Sequence, residues 1–192
     1  MKKRIPTIFI ALCFLAGLSL LLYPTVSNQW NLYHQSRAIV DYGEEVSELD
    51  EETKLVMWQA ATKYNEELNG RNPHWVLAEE EWREYENQLD VTGTGIMAYL
   101  EIPKIDCALP VYHGTSEGVL AEAVGHIEGS SLPVGGDDTH CVLSGHRGLP
   151  SARLLTDLDG YGSGGCVLFA RARRNPDLRG GSDQDGASSR AG

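Results

Sequence analysis

The sequence predicts a mostly β domain that follows a membrane helix and a helical N-terminal region. Residues 5–23 form an apolar run without a charge, and residues 28–69 carry apolar side chains at helical spacing. Residues 96–158 then alternate short strand-like runs with short helical ones. Strands interrupted by short helices favour a mixed β-barrel over an alternating parallel sheet.

Length and charge narrow the classes of function. The chain has 192 residues and a formal net charge of -11, which fits one domain plus a targeting segment. So acidic a chain is not expected to bind nucleic acid, because phosphate binding needs a basic surface. The sequence has no glycine-rich phosphate loop and no spaced set of metal ligands, so we expect neither a cofactor nor a metal.

The N-terminus has the pattern of a membrane anchor. Lys2, Lys3 and Arg4 precede the apolar run, whose length of about 19 residues suits a membrane-spanning helix. The basic flank should stay in the cytoplasm. A cleaved signal peptide is the alternative, but residues 24–27 do not form the usual small-x-small cleavage site. We expect an uncleaved single-pass anchor over residues 1–27, with the domain on the extracytoplasmic side of the cell membrane.

Residues 28–92 are predicted to form a helical stalk and a lid-like region. The helix over residues 28–69 should end at Gly70, since glycine commonly follows the last helical turn. The polar stretch after it contains Pro73 and Trp75 and leads into an acidic helix at residues 79–89.

The domain proper is predicted to begin after a glycine-punctuated turn at residues 91–95. Ser116 is a suitable N-cap, and Pro103 should end the first strand. The predicted elements are strands at 96–102, 109–112 and 139–144, and short helices at 116–124 and 150–158.

Four motifs lie in register along this part of the chain. They are YLEIPKI at residues 99–105, LPVYHGTS at 109–116, GHIEGSSLPVGG at 125–136 and SGHRGLP at 144–150. Together they resemble the sortases, and among these the class C sortases that assemble pilins. The resemblance covers residues 93–159, the N-terminal part of the sortase domain. It implies an eight-stranded β-barrel, which would be incomplete in this chain.

The resemblance also implies a chemistry. Sortases cleave cell-surface proteins at an LPxTG-type sorting signal and form a thioester with a cysteine, and a pilin lysine resolves that thioester in class C. His146 matches the catalytic histidine of the family. An imidazole with a pKa near neutrality can protonate a leaving amine and deprotonate an incoming one. Arg147 belongs to the turn after His146 and is expected to be structural.

Several other residues have competing interpretations. Trp75 is an approximate match to the aromatic residue of the lid that covers class C active sites, although it can equally anchor a loop. His113, His126 and His140 are expected to be ordinary core or surface histidines. A metal site made from His126, His140, Cys141 and His146 is not favoured, because their spacing is not diagnostic.

The four cysteines do not suggest disulfides or a zinc site. Cys13 lies in the apolar run, and Cys107 and Cys141 lie in strand-like runs where small buried hydrophobes are common. If Cys141 and His146 flank one strand, alternation places their side chains on opposite faces. We therefore expect none of them to replace the sortase nucleophile.

The chain changes character at residues 160–192. Eight of the 21 glycines and five arginines fall there, without strand alternation, so this tail is predicted to be disordered. The thiol nucleophile and the arginine of the family find no match after His146. A frameshift would explain this, because the back-translated tail read one base later permits strand-like sequence; a natural divergent tail is the alternative. We expect a truncated, inactive sortase, the alternative being a non-catalytic membrane-anchored interaction protein that uses its acidic helices.

Overall fold

A computed structural model describes residues 4–69, 77–160 and 168–170, as helices followed by one five-stranded sheet of order β4-β3-β2-β1-β5. Two single 3-10 turns, Pro103–Ile105 and Thr156–Gly160, complete the regular structure. The elements are α1 (Arg4–Glu48), α2 (Glu51–Asn69), α3 (Glu79–Glu86), β1 (Ile96–Ile102), β2 (Cys107–His113), α4 (Glu117–Glu122), β3 (Val124–His126), β4 (Leu143–Gly145) and β5 (Leu168–Ala170).

The N-terminal helices differ from the prediction in their boundaries. α1 contains both the apolar run and the first part of the predicted stalk, and the chain breaks at Leu49 before α2 begins. Asp50 causes the restart, because its carboxylate accepts a hydrogen bond from the backbone N–H of Thr53 at 2.8 Å, as an N-cap does. This bond lowers the pKa of the Asp50 carboxyl. The predicted stop at Gly70 lies outside the described residues.

By length and composition, α1 is the described helix that can cross a membrane. Its apolar window is not buried inside the protein.

The sheet brings together strands that are distant in the chain. β1 and β2 form an antiparallel hairpin in which Ile102 pairs with Cys107, and α4 then connects β2 to the parallel strand β3. β4 pairs antiparallel with β3 on one side of the sheet. β5 pairs antiparallel with β1 on the other side.

Most predicted elements of the domain are present, and two need correction. Ser116 caps α4 as predicted, with its hydroxyl accepting from the backbone N–H of Val119. The strand predicted at 139–144 runs only over Leu143–Gly145, so the alternation argument does not reach Cys141. The helix predicted at 150–158 is a 3-10 turn at Thr156–Gly160.

The fold class and the tail also need correction. A mostly β fold was expected, but the described residues contain more helix than strand, because α1 and α2 are long. A disordered tail is wrong for Leu168–Ala170, which form β5. It pairs with β1 in register, with Tyr99 opposite Ala170 and Leu100 opposite Phe169 along the backbone. Other tail residues after Gly160 lie outside the described residues.

The core lies between the sheet and α2 and α3. Met97, Val111, Val124 and Leu132 are fully buried at its centre. Asn65 on α2 is buried too and bonds to both backbone groups of Leu132, donating to the carbonyl at 3.1 Å and accepting from the N–H at 2.8 Å. Because a buried backbone group without a partner is costly, this pair of bonds fixes α2 on the loop after β3.

Candidate functional site

His146 is exposed and directly follows β4. β4 is held by β3, since Ser144 pairs with Gly125 and Gly145 pairs with Val124. Val124 is fully buried in the core. The histidine therefore projects from a strand end whose position is set by the core, while its own ring stays open to solvent.

Close packing favours glycine at position 145. A Cβ there would lie 2.9 Å from Leu155 Cδ1 and 3.3 Å from Val124 Cγ2. The backbone N–H of Leu155 donates to the carbonyl of His146 at 3.3 Å. Leu155 thus packs against Gly145, the residue before His146, and its backbone bonds to His146 itself.

The turn after His146 is closed by polar contacts. Arg147 forms an ion pair with Asp159. Gly148 has a φ of 74°, which favours glycine, and its N–H donates to the hydroxyl of Thr156 at 3.0 Å. These contacts support the predicted structural role of Arg147 and fix the path of the chain beside the histidine.

Asn28 and Asn31 of α1 bond to the backbone of the segment at residues 151–153, which follows the turn after His146. These two bonds are here called the clamp. Asn28 Oδ1 accepts from the backbone N–H of Arg153 at 2.8 Å, and Asn31 Nδ2 donates to the carbonyl of Ser151 at 2.9 Å. A cavity of about 310 Å³ lies between Asn28 and this segment. Sequence reasoning missed the clamp, although two amides at helical spacing directly after an apolar run are a signal for it.

A buried cluster of Tyr85, Gly114 and His126, here called the socket, holds the acidic helix α3 on the sheet. Tyr85 is fully buried, and its hydroxyl accepts from the N–H of Gly114 at 3.0 Å and lies 2.9 Å from His126 Nδ1. Burial raises the pKa of Tyr85, so the phenol remains protonated. Sequence reasoning did not single out Tyr85.

The tautomer of His126 follows from its partners. Nε2 lies 2.9 Å from the carbonyl oxygen of Ser131, which can only accept, so Nε2 carries the proton. Nδ1 is then an acceptor, and the Tyr85 hydroxyl can donate to it at 2.9 Å or to the carbonyl oxygen of His126 at 3.1 Å. Burial disfavours the charged ring and lowers the pKa of His126 from 6.5 to about 4. His126 is therefore a satisfied core histidine, as predicted.

The socket explains the glycines of two motifs. A Cβ at Gly125 would collide with the backbone oxygen of Gly114, so β3 can approach β2 here only as glycine. A Cβ at Gly114 would lie 3.1 Å from the Trp82 ring. The two nitrogens of His113 lie 3.0 Å from the Gly95 carbonyl and 2.8 Å from that of Gln88. These motif residues therefore hold β2, β3 and α3 together, and β3 in turn pairs with β4, the strand that precedes His146.

The described cysteines do not have the environment of a nucleophile. Burial raises the pKa of the Cys141 thiol to about 12 and also raises that of Cys107. A reactive cysteine needs a lowered pKa. Cys13 is exposed on α1.

In residues 4–69, 77–160 and 168–170, no group of three histidine, cysteine, aspartate or glutamate side chains is placed to hold a metal. Cys166 and Trp75 lie outside the described residues.

Removing the clamp is expected to loosen the segment beside His146. In Asn28→Ala the amide of Arg153 should exchange its hydrogen about fivefold faster, because the lost bond contributes about 1 kcal/mol. Asn28→Asp keeps the accepting oxygen and should keep the protection. Hydrogen exchange of the full chain in detergent, resolved at Arg153, measures both. Equal exchange in Asn28→Ala and the unchanged protein would contradict the clamp.

The socket predicts a loss of stability in acid. His126 has a lower pKa in the folded chain, so the unfolded chain binds its proton more tightly. The contribution to stability is complete above pH 6.5 and decreases as the pH falls towards 4, by about 3 kcal/mol. Urea unfolding across this range should show a shallower pH dependence in His126→Gln, and an unchanged one in His140→Gln. An NMR titration of His126 near pH 6.5 in the unchanged protein would refute the prediction.

Comparisons with known proteins agree with the motifs. The family model of the sortase domain matches residues 100–176, which includes β5 and part of the predicted tail. No curated protein matches the chain.

The similarity to solved structures covers more of this chain than the family model does. Sortase C1 from Streptococcus agalactiae is 45% identical, covering 72% of this chain and 72% of that chain, with a TM-score of 0.69. Sortase C from Streptococcus pneumoniae, described for its catalysis and pilin substrate specificity, is 37% identical over 71% of this chain and 68% of its own, with a TM-score of 0.62. A lid mutant of the Streptococcus agalactiae enzyme is 34% identical over 70% and 69%, with a TM-score of 0.59. The chain therefore belongs to the sortase family, and within it to the class C sortases.

Proposed function

We propose that this chain carries the histidine half of a class C sortase active site, with His146 as the general acid and base. The observation that carries the proposal is the placement of His146. It is exposed at the end of β4, while Gly145, Leu155 and Thr156 fix the backbone on both sides of it. A proton-transfer group needs this combination of a fixed backbone and an accessible ring.

The reaction we propose for the complete site joins pilin subunits. A cysteine thiolate attacks the Thr–Gly peptide bond of an LPxTG-type signal, and a thioester forms while His146 gives a proton to the departing glycine amine. The amine of a pilin lysine then attacks the thioester and forms an isopeptide bond, the cysteine leaves as thiolate, and the imidazole takes the proton of the amine. The pilin substrate of the Streptococcus pneumoniae relative supports this choice of substrate class.

The 192 residues are proposed to be inactive by themselves. After His146 the sequence contains one cysteine, Cys166, which follows Gly165 and not the threonine of the family's nucleophile motif. The raised pKa values of Cys107 and Cys141 argue against a substitute among the described thiols. Without a thiolate, His146 has no reaction to assist.

The organisation of the chain is part of the proposal. Residues 1–27 would anchor it in the cell membrane, and residues 28–92 would form the stalk and the lid. The sheet within residues 93–159 would be the first part of an eight-stranded barrel. The apolar, unburied start of α1 supports the anchor. The Streptococcus agalactiae relative has a lid, and the socket of Tyr85 fixes α3, which begins four residues after Trp75 in the sequence, on the sheet.

The role of His146 can be tested in a chimera. Residues 1–159 are joined to the C-terminal half of Streptococcus agalactiae sortase C1, which restores a thiol and an arginine. We expect cleavage of an LPxTG peptide by the chimera, a loss of at least a hundredfold in His146→Ala, and little change in His140→Ala. Residues 28–192 without the fusion should give no turnover. Cleavage by this fragment that depends on His146 would overturn the proposed inactivity, and an active His146→Ala chimera would overturn the assignment.

The same chimera tests the lid. If Trp75 covers the site, Trp75→Ala should raise the rate at which a small thiol reagent labels the catalytic cysteine, while Trp75→Phe should retain the slow rate. A loop anchor would give no such increase. Equal labelling rates in Trp75→Ala and the parent chimera would therefore remove the lid assignment and leave that of His146 untouched.

A further inference from the structure

Beyond the apolar run, α1 has two opposite faces. One face docks on the domain and carries Asn28, Asn31, Gln35, Ala38 and Tyr42, at alternating spacings of three and four residues. The other face, here called the outer stripe, has the same spacing. Its members are Tyr23, Val26, Trp30, Tyr33 and Arg37. An α-helix turns by about 100° per residue, so Trp30 lies roughly opposite Asn28.

The outer stripe is exposed to an unusual degree for its composition. Tyr23, Val26, Trp30 and Tyr33 expose 60%, 64%, 65% and 58% of their surface. A contiguous apolar and aromatic surface of this kind marks an interaction site. Tryptophan and tyrosine in particular concentrate where membrane hydrocarbon meets water.

The partner follows from continuity. The outer stripe and the apolar run belong to one helix, Arg4–Glu48, so the stripe begins where the span ends. We propose that the first part of the outer stripe, Tyr23, Val26 and Trp30, lies in the headgroup region of the extracytoplasmic leaflet, with Trp30 as the interfacial anchor. The inference rests on the proposed membrane anchoring of residues 1–27 and adds to it the orientation of the domain.

The geometry requires a tilted helix. Trp30 follows Tyr23 by seven residues, which is about 10 Å of rise, and the headgroup region is only about 5–7 Å deep. With the helix axis at Tyr23 placed at the hydrocarbon boundary, a tilt of about 30° towards the outer stripe puts Trp30 about 6 Å above that boundary. The same tilt puts the Asn28 face about 9 Å above it. Tyr23, Val26 and Trp30 then meet the lipid, while the clamped segment beside His146 lies above the headgroups.

Pro24 can bend α1 at the point where the apolar run ends. It lies inside α1 directly after the apolar run. Proline has no N–H for the carbonyl of Leu20 and crowds it, so helices bend at such positions. The outer stripe can therefore lie against the interface while the span keeps its own tilt.

The test measures the depth of Trp30 in the full chain in lipid vesicles. Lipids brominated near the headgroup, or near the chain ends, quench tryptophan according to its depth. We expect the headgroup-proximal bromines to quench more strongly, and the quenched share of the emission to be lost in Trp30→Phe. Trp58 on α2, partly buried and remote from the span, is the matched control, so Trp58→Phe should keep that share.

The outcomes separate this inference from the anchoring itself. If the protein floats with the vesicles and resists carbonate extraction, yet Trp30→Phe loses no lipid quenching, the anchor stands and the inference is overturned. If Trp30 is protected from iodide but not reached by brominated lipid, a protein covers the stripe and the inference is again overturned. A chain that does not float overturns the anchoring and this inference together.

Discussion

The buried contact of Tyr85 with β2 and β3 is the constraint on which the other parts depend. Its hydroxyl bonds to Gly114 and His126, and it can reach both only because β3 passes β2 at the glycine in position 125. β3 in turn positions β4 through Val124 and Gly125. One phenol therefore links the acidic helix α3 to the strand that ends at His146, without touching the histidine.

The second support of the site comes from the anchor helix. Asn28 and Asn31 bond to the backbone of the segment that returns after His146, while Gln35 Nε2 donates to the carbonyl of Glu122 at 2.6 Å, at the end of α4. α1 is thus more than a tether, because its first turns beyond the apolar run complete the walls of the site. Any rotation of α1 about its axis would change the position of the histidine loop relative to the sheet.

The sequence predicts those features that depend on local pattern. β1 has the predicted bounds, and Ser116 caps α4, because alternation and capping are properties of neighbouring residues. Features that depend on distant residues could not be predicted in this way. The break at Asp50 follows from one side-chain bond, β5 needs the register of β1, and the socket joins residues 85, 114 and 126. The motifs indicated His146 but not the partners that hold its backbone.

The topology limits where a nucleophile for His146 can come from. The strand beside β4 is β3, and the residues opposite Ser144 and Gly145 are Gly125 and Val124, which offer no thiol. The turn after the histidine is occupied by Arg147 with Asp159 and by Gly148 with Thr156. In the described sheet the other side of β4 is an outer edge, with backbone groups free to pair. For the proposed role of His146, its cysteine would therefore arrive on a segment added to this edge, so the pairing that extends the sheet and the pairing that completes the proposed active site would be the same event.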